Sequence, residues 1–238
     1  MGIDLVDAFK LISLHERGLT QGRLLCLGRQ GFYVRRDEEF QLLERRLDQA
    51  GISFDLGEFK RKKLFSEPFF RALGFSSTMA LDASGYEGAD IVHDLTAAPL
   101  PSLQGGFDFI LDGGTIEHVF DVPAAFRNVY SMLATEGAFY SVNGANGFFG
   151  HGFYQFSPEL PWSFWHRACK FDVLDCVALP KDPRHPEILI PDPESIGGRV
   201  QPELPSGRVY LSYTVRKRSG SAWGLSAGQS DYVARWTA

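Results

Sequence analysis

The stretch FDFILDGGTIEHVFDVPAAFRNVYSML, residues 107–133, decides how the chain folds. It opens on a short apolar run, turns through Asp112, Gly113 and Gly114, and resumes after Asp121 with apolar residues at helical spacing. A short, nearly continuous apolar run suits a strand buried on both faces of a parallel sheet. Asp121 is placed to cap the helix that follows, and Pro123 falls in its first turn, where a missing N–H is harmless. Strand, glycine turn and helix make one unit of an alternating α/β chain.

The same unit recurs on both sides. Leu24–Leu27, TMALD (78–82) and ADIVHD (89–94) read as strands upstream, with a helix over 37–50 that carries acids in its first turn and stops at Gly51. Downstream, GAFYSVN (137–143), FDVLDCVAL (171–179) and VYLSYTV (209–215) read as strands, and 158–169 reads as a helix opened by Ser157. Residues 4–18 form an amphipathic helix ahead of the core. Residues 52–77 read as an insertion, with ISFDL as a short strand and SEPFFRALG as a helix capped by Ser66. The tail from 217 is low in apolar residues and is expected to pack loosely. The expectation is one α/β domain over 1–238, Rossmann-like, with a mostly parallel seven-stranded sheet and helices on both faces.

Composition narrows the partners. The chain has 238 residues and a formal net charge of −5, with 44% hydrophobic residues. An acidic balance argues against nucleic acid, whose binders displace counterions with basic surfaces. The cluster Lys60–Lys63 reads as a solvated loop. No apolar run approaches the roughly 20 residues that span a bilayer, and no signal-like segment opens the chain. Cys26, Cys169 and Cys176 form no CxxC pair, which fits a reducing, cytoplasmic setting. His151, His166 and His185 lack metal-motif spacing, so no metal is expected. Oligomeric state leaves no mark in the sequence.

In an open parallel sheet, ligands bind beyond the carboxyl ends of the strands. The residues there are Gly28, Arg29, Gln30 and Gly31 after the first strand, Asp82 after TMAL, Asp94 after DIVH, and Asp112, Gly113, Glu117 and His118 after FDFIL. A carboxylate at a strand end accepts ribose hydroxyls in such folds. Asp94 is placed to accept from an adenine amino group. Asp55 is a rival to Asp82 for the ribose. Each of these carboxylates could instead cap a turn.

LLCLGRQG, ALDASGYEGADIVHDL, FDFILDGGTIEHV and GAFYSVNGANG together resemble the class I S-adenosylmethionine-dependent methyltransferases over roughly residues 20–170. GHGFYQFSPEL resembles a loop of bacterial methyltransferases, some from polysaccharide or natural-product pathways. The resemblance implies S-adenosylmethionine as cofactor, with Gly28 under its methionine part and Asp82 on the ribose. It puts Asp94 and Leu95 beside the adenine, and Asp112 and Gly113 near the sulfonium. In the family's glycine loop an acidic residue and a further glycine stand where this chain has Cys26 and Gln30. Arg29 could meet the methionine carboxylate.

Methyl transfer to a hydroxyl calls for a general base, and His151, His118 and Glu117 are the candidates by position. Asn143, Tyr154, Gln155 and Ser157 are candidate acceptor contacts. The expected activity is methylation of a small molecule or glycan, with oxygen favoured as acceptor atom. Two rivals stand beside it. One is an inactive partner protein that keeps the fold. The other is a nicotinamide-dependent oxidoreductase or epimerase, which would want G-x-G-x-x-G where this chain has GRQGFY.

Overall fold

The computed structural model describes residues 2–237; Met1 and Ala238 lie outside the described residues. In chain order the elements are β1 (Gly2–Ile3), α1 (Leu5–Glu16), β2 (Gly22–Leu27), β3 (Gly31–Phe32) and α2 (Asp37–Gln49). Then come α3 (Gly57–Arg61), α4 (Glu67–Ala72), β4 (Phe75–Asp82), β5 (Ile91–Val92), β6 (Phe107–Gly113), α5 (Val122–Met132) and β7 (Leu133–Asn146). A π-helical segment, Leu160–Ala168, leads to β8 (Asp172–Pro180), β9 (Ile188–Leu189), β10 (Val209–Arg216) and α6 (Ser230–Thr237).

The main sheet has eight strands in the order β5-β4-β2-β6-β7-β10-β8-β9, one more than the sequence suggests, because β9 adds an edge. β5, β4, β2, β6 and β7 run parallel, and β10 lies antiparallel between β7 and β8. From β2 the chain builds outward to β4 and β5, then returns to β6 on the other side. That reversal opens a crevice at the carboxyl ends of β2 and β6, where doubly wound sheets bind ligands.

Both faces of the central strands are covered. Along β2, Leu24 and Cys26 join the core under α1, α2 and α4, whereas Leu25 and Leu27 join the core under α5 and the π-helical segment. This alternation inside an unbroken apolar run is the two-sided burial expected from the sequence. Asp121 caps α5 as expected, accepting the Ala124 N–H at 3.1 Å.

The 52–77 insertion supplies rings, and its last residues, 75–77, open β4. ISFDL forms no strand, and the segment folds as α3 and α4. Phe59 packs edge-on to Phe32 with ring centroids 4.7 Å apart, and Phe69 lies 5.6 Å from Phe32. Fully burying rings of this size stabilises each by about 1.5–3 kcal/mol, which fixes the insertion against β3. The tail is mostly exposed but is anchored at two places. Trp223 packs edge-on to Tyr130 and Phe164, and the tail ends in α6, where Ser230 bonds Glu159 through its N–H at 3.1 Å and its hydroxyl at 2.9 Å.

Candidate functional site

Two cavities open at the carboxyl edge of the sheet. The smaller, about 370 Å³, is lined by Leu81, Asp82, Ala83, His93, Asp94, Leu95, Thr115, His118 and Val119. The larger, about 520 Å³, takes its walls from Gly113, Gly114, Glu117, His118, Phe148 and His151 and from several residues outside the expected set. His118 lines both, so the two spaces meet at that side chain. Volumes of this order suit small ligands.

The smaller cavity has apolar walls and two carboxylates. Asp82 ends β4 and accepts the Ser84 N–H through Oδ1 at 3.2 Å. Asp94 Oδ1 accepts the Thr96 N–H at 2.8 Å and the Thr96 hydroxyl at 2.9 Å, and these bonds hold the carboxyl below its ordinary range. Each carboxylate therefore caps a turn through one oxygen while lining the cavity. The loop that carries Asp94 and Leu95 is fastened from behind by Asn128 of α5. Its amide donates to the carbonyls of Leu95, Ala97 and Ala124 at 3.0, 2.9 and 3.2 Å, and its oxygen faces His93 Nε2 at 3.1 Å.

Asp55, the rival carboxylate, lines neither cavity; it accepts the Gly57 N–H at 2.7 Å at the start of α3. Asp112 departs from its expected place at the sulfonium end. It is fully buried, lines neither cavity, and braces the loop after β6. Oδ1 accepts the N–H groups of Thr115 and Ile116 at 2.8 and 3.1 Å, and Oδ2 accepts from Ser141 at 2.9 Å and Asn143 at 2.7 Å. Burial raises the Asp112 carboxyl, and these four donors oppose the shift.

The loop after β2 turns at Gly28, whose φ of +71° falls in the left-handed region that glycine occupies freely. Gln30 is buried and donates to the carbonyls of Leu27 and Gly28 at 2.8 and 3.1 Å. Its side-chain oxygen has no hydrogen-bond partner among the described residues, and a Cβ on Gly113 would stand 2.4 Å from that oxygen. Arg29 pairs with Glu67 at 2.7 Å and bonds the Glu87 carbonyl at 2.8 Å, stacked over Phe65. Gly31 pairs with Gly2 in the small β1–β3 ladder. None of the four lines either cavity.

Glu117 is the hub of the larger cavity. Its side chain is 4% exposed, and Oε2 accepts the Gly144 N–H at 2.7 Å. Oε1 lies 3.1 Å from His151 Nε2 and 3.8 Å from His118 Nε2. Burial raises the Glu117 carboxyl, against the Gly144 bond and the His151 charge, and burial beside His151 lowers the His118 imidazole. The fold thus brings all three candidate bases together.

The proposed acceptor contacts serve the loop itself. Asn143 is buried against Asp112, the Tyr154 hydroxyl donates to the Phe120 carbonyl at 2.9 Å, and Gln155 donates to the His151 carbonyl at 2.9 Å. Ser157 accepts the Glu159 N–H at 3.3 Å. The larger cavity is instead walled by Asp4, Asp7, Tyr33, Arg36, Lys181, Arg208 and Tyr210, none of them singled out from sequence. The Asp4 signal was readable as a helix cap: it accepts the N–H groups of Val6 and Asp7.

The strand order, with an antiparallel strand inserted between the last parallel one and its neighbour, defines the Rossmann-like α/β fold of the methyltransferase type. No protein-family model matches the chain, and no curated protein matches it. Among solved structures it is similar to the 1,6-didemethyltoxoflavin-N1-methyltransferase of Burkholderia thailandensis, bound to 1,6-didemethyltoxoflavin and S-adenosylhomocysteine. That match has 15% identity and a TM-score of 0.49, covering 89% of this chain and 79% of that one. An S-adenosylmethionine-dependent methyltransferase from Mesorhizobium loti matches at 14% identity and a TM-score of 0.36, over 87% of this chain and 98% of that one. One from Clostridium acetobutylicum matches at 12% identity and a TM-score of 0.38, over 91% and 93%.

Proposed function

We propose that this chain is an S-adenosylmethionine-dependent methyltransferase that methylates an oxygen of a small molecule or glycan. The observation that carries the reading is the meeting, at His118, of a cavity lined by Asp82, Asp94 and Leu95 with one floored by Glu117 and His151. A nucleoside fits the first: carboxylates for hydroxyls and an amino group, and Leu81, Leu95 and Val119 as apolar walls for a base.

S-adenosylmethionine, when bound, supplies an electrophilic methyl group on a sulfonium centre. The chain's own residues then have two tasks. Asp82, Asp94 and Leu95 hold the nucleoside, so that the reacting centres meet in a fixed geometry. His151, oriented by Glu117, accepts the proton of a hydroxyl acceptor. With Nε2–H donating to Glu117 Oε1, the imidazole keeps Nδ1 as its acceptor. The rings and charges of Tyr33, Tyr210, Arg36 and Asp4 suit a polyhydroxylated acceptor, since rings cover sugar faces while charges take hydroxyls. A cytoplasmic setting belongs to the same reading and is supported by three free, buried cysteines.

Calorimetric titration with S-adenosylhomocysteine tests the proposal. Saturable binding at one equivalent is expected. No heat with a folded protein would make the chain an inactive partner that keeps the fold, and binding of NAD(H) in its place would favour the oxidoreductase rival.

A further inference from the structure

Glu117, His118 and His151 each offer a ligand atom, and the three atoms lie within 4.8 Å of one another. Linear spacing hides this group, because His151 arrives from the far end of β7 and is folded back onto Glu117. We propose that these side chains form a binding site for one first-row transition dication of the Zn²⁺ or Mn²⁺ kind, open to the larger cavity.

Four observations converge on it. Around a four-coordinate ion with bonds of about 2.0–2.2 Å, neighbouring ligand atoms stand roughly 3.4 Å apart. The distances from Glu117 Oε1 to the two Nε2 atoms, 3.1 and 3.8 Å, bracket that value. The carboxylate is held by its other oxygen on the Gly144 N–H, the kind of outer bond that fixes a ligand's direction. The burial is one-sided: Glu117 is 4% exposed, whereas His118 and His151 are 44% and 51% exposed. A closed back and an open front, with three protein ligands, leave room for a further ligand, as in catalytic rather than structural metal sites. Finally, two imidazoles and one carboxylate favour transition ions over Mg²⁺ or Ca²⁺, which prefer oxygen alone.

Loading has a proton consequence. The ion takes the Nε2 lone pairs, so each neutral imidazole carries its proton on Nδ1 and Glu117 is ionised. The hydrogen bond between Glu117 and His151 gives way to two bonds to the ion. The site stands on its own geometry, but its role in catalysis rests on the methyltransferase reading above. In that role the ion would lower the pKa of an acceptor hydroxyl at the open position; with both imidazoles bound as ligands, the proton would pass to water in the open cavity, and the oxygen would take the methyl group as S-adenosylhomocysteine departs.

The test is a calorimetric titration of the chelator-treated protein with ZnCl₂, MnCl₂ and MgCl₂, each run separately, and with S-adenosylhomocysteine in parallel. One equivalent of Zn²⁺ or Mn²⁺ is expected to bind, with Mg²⁺ at least about tenfold weaker. His118→Ala and His151→Ala replace exposed rings, and circular dichroism checks that each variant folds. Each should weaken Zn²⁺ binding by about tenfold or more, and the double variant should abolish it. His185→Ala, which removes an exposed imidazole outside the group, should bind as the parent does. Absence of saturable Zn²⁺ binding, or unchanged binding in the double variant, overturns the site. S-adenosylhomocysteine binding without Zn²⁺ binding removes the cation site and leaves the methyltransferase reading. The converse result leaves the cation site and removes its catalytic role.

Discussion

The backbone carbonyl of Glu117 accepts the N–H of Phe153 at 2.7 Å, so one residue fastens the loop after β7 by its main chain and meets His151 of that loop by its side chain. Gly152, between them, has φ +69°, and a Cβ there would stand 2.7 Å from the same carbonyl. Gly152→Ala is therefore expected to displace the loop, at a cost of about 1–3 kcal/mol for the strained backbone. Methyl transfer should fall steeply while S-adenosylhomocysteine affinity changes little. The check is to measure both on the same preparation.

His151→Ala should lower turnover by about 10²–10⁴-fold, the usual worth of a positioned proton acceptor. Affinity for S-adenosylhomocysteine should stay within about twofold, because Asp82, Asp94 and Leu95 lie in the other cavity. Labelled-methyl transfer to a panel of hydroxylated small molecules and glycans, paired with calorimetry, reads the two quantities. Equal losses in both would remove His151 from the chemistry.

Asp82→Ala should weaken S-adenosylhomocysteine binding by about 1.5–3 kcal/mol, roughly ten- to a hundredfold in Kd, as expected for hydrogen bonds to a charged group. Asp55→Ala should leave Kd unchanged, since Asp55 only caps the start of α3. The reverse pattern would transfer the ribose role to Asp55.

Asn128→Ala leaves the carbonyls of Leu95, Ala97 and Ala124 without their shared donor. Of these bonds the one to Leu95 is buried, and an unsatisfied buried carbonyl costs about 1–3 kcal/mol. Urea denaturation should show that loss of stability, and S-adenosylhomocysteine should bind more weakly because the loop carrying Asp94 loosens. A variant as stable as the parent would contradict the bracing role.

Asp7 gives the pH prediction. Burial, and then the neighbouring Asp4 charge, raise its carboxyl well above the ordinary value, while the Asp4 backbone N–H and Lys181 pull it down. A raised acid favours the protonated form in the fold. Its stabilising contribution is complete below the unfolded pKa of about 4 and is lost as pH rises through the folded value. Asp7→Asn should therefore melt higher than the parent at pH 8, with the difference shrinking toward pH 4. Melting curves across that range test it, and a pH-independent difference would show that Asp7 does not titrate in this way.

The parts of the fold legible in the sequence were those fixed by local rules. Leu24–Leu27 had to be a two-sided strand because it is apolar without a break, FDFIL because only Asp108 interrupts its apolar run, and Asp121 had to cap α5 because an apolar helical period starts just after it. ISFDL failed because Phe54 is drawn into ring contacts with Phe59 and Phe69 at 5.3 and 5.6 Å, a tertiary preference that outweighs strand propensity. At the candidate site, position along the strands led to Asp82, Asp94, Glu117, His118 and His151, each of which lines one of the two cavities. It did not find that Asp112 turns inward, because the donors on Ser141 and Asn143 that make burial tolerable sit on the neighbouring strand. Nor could it find Asp4, Lys181, Arg208 and Tyr210 on one cavity wall, a meeting of segments about 200 residues apart in the chain.

The place of β10 also bears on how the protein is made. Because it lies between β7 and β8 and pairs with both, a ribosome that has just released β8 and β9 has produced strands with no sheet to join. Lys10 of the first helix meets its partners, Asp175 and Glu187 at 2.5 and 2.8 Å, only after β8 and the segment before β9 have been made. Nascent chains halted before Val209 should accordingly hold a five-strand parallel half with one bare edge at β7, a surface for chaperones to shield until the remaining strand emerges.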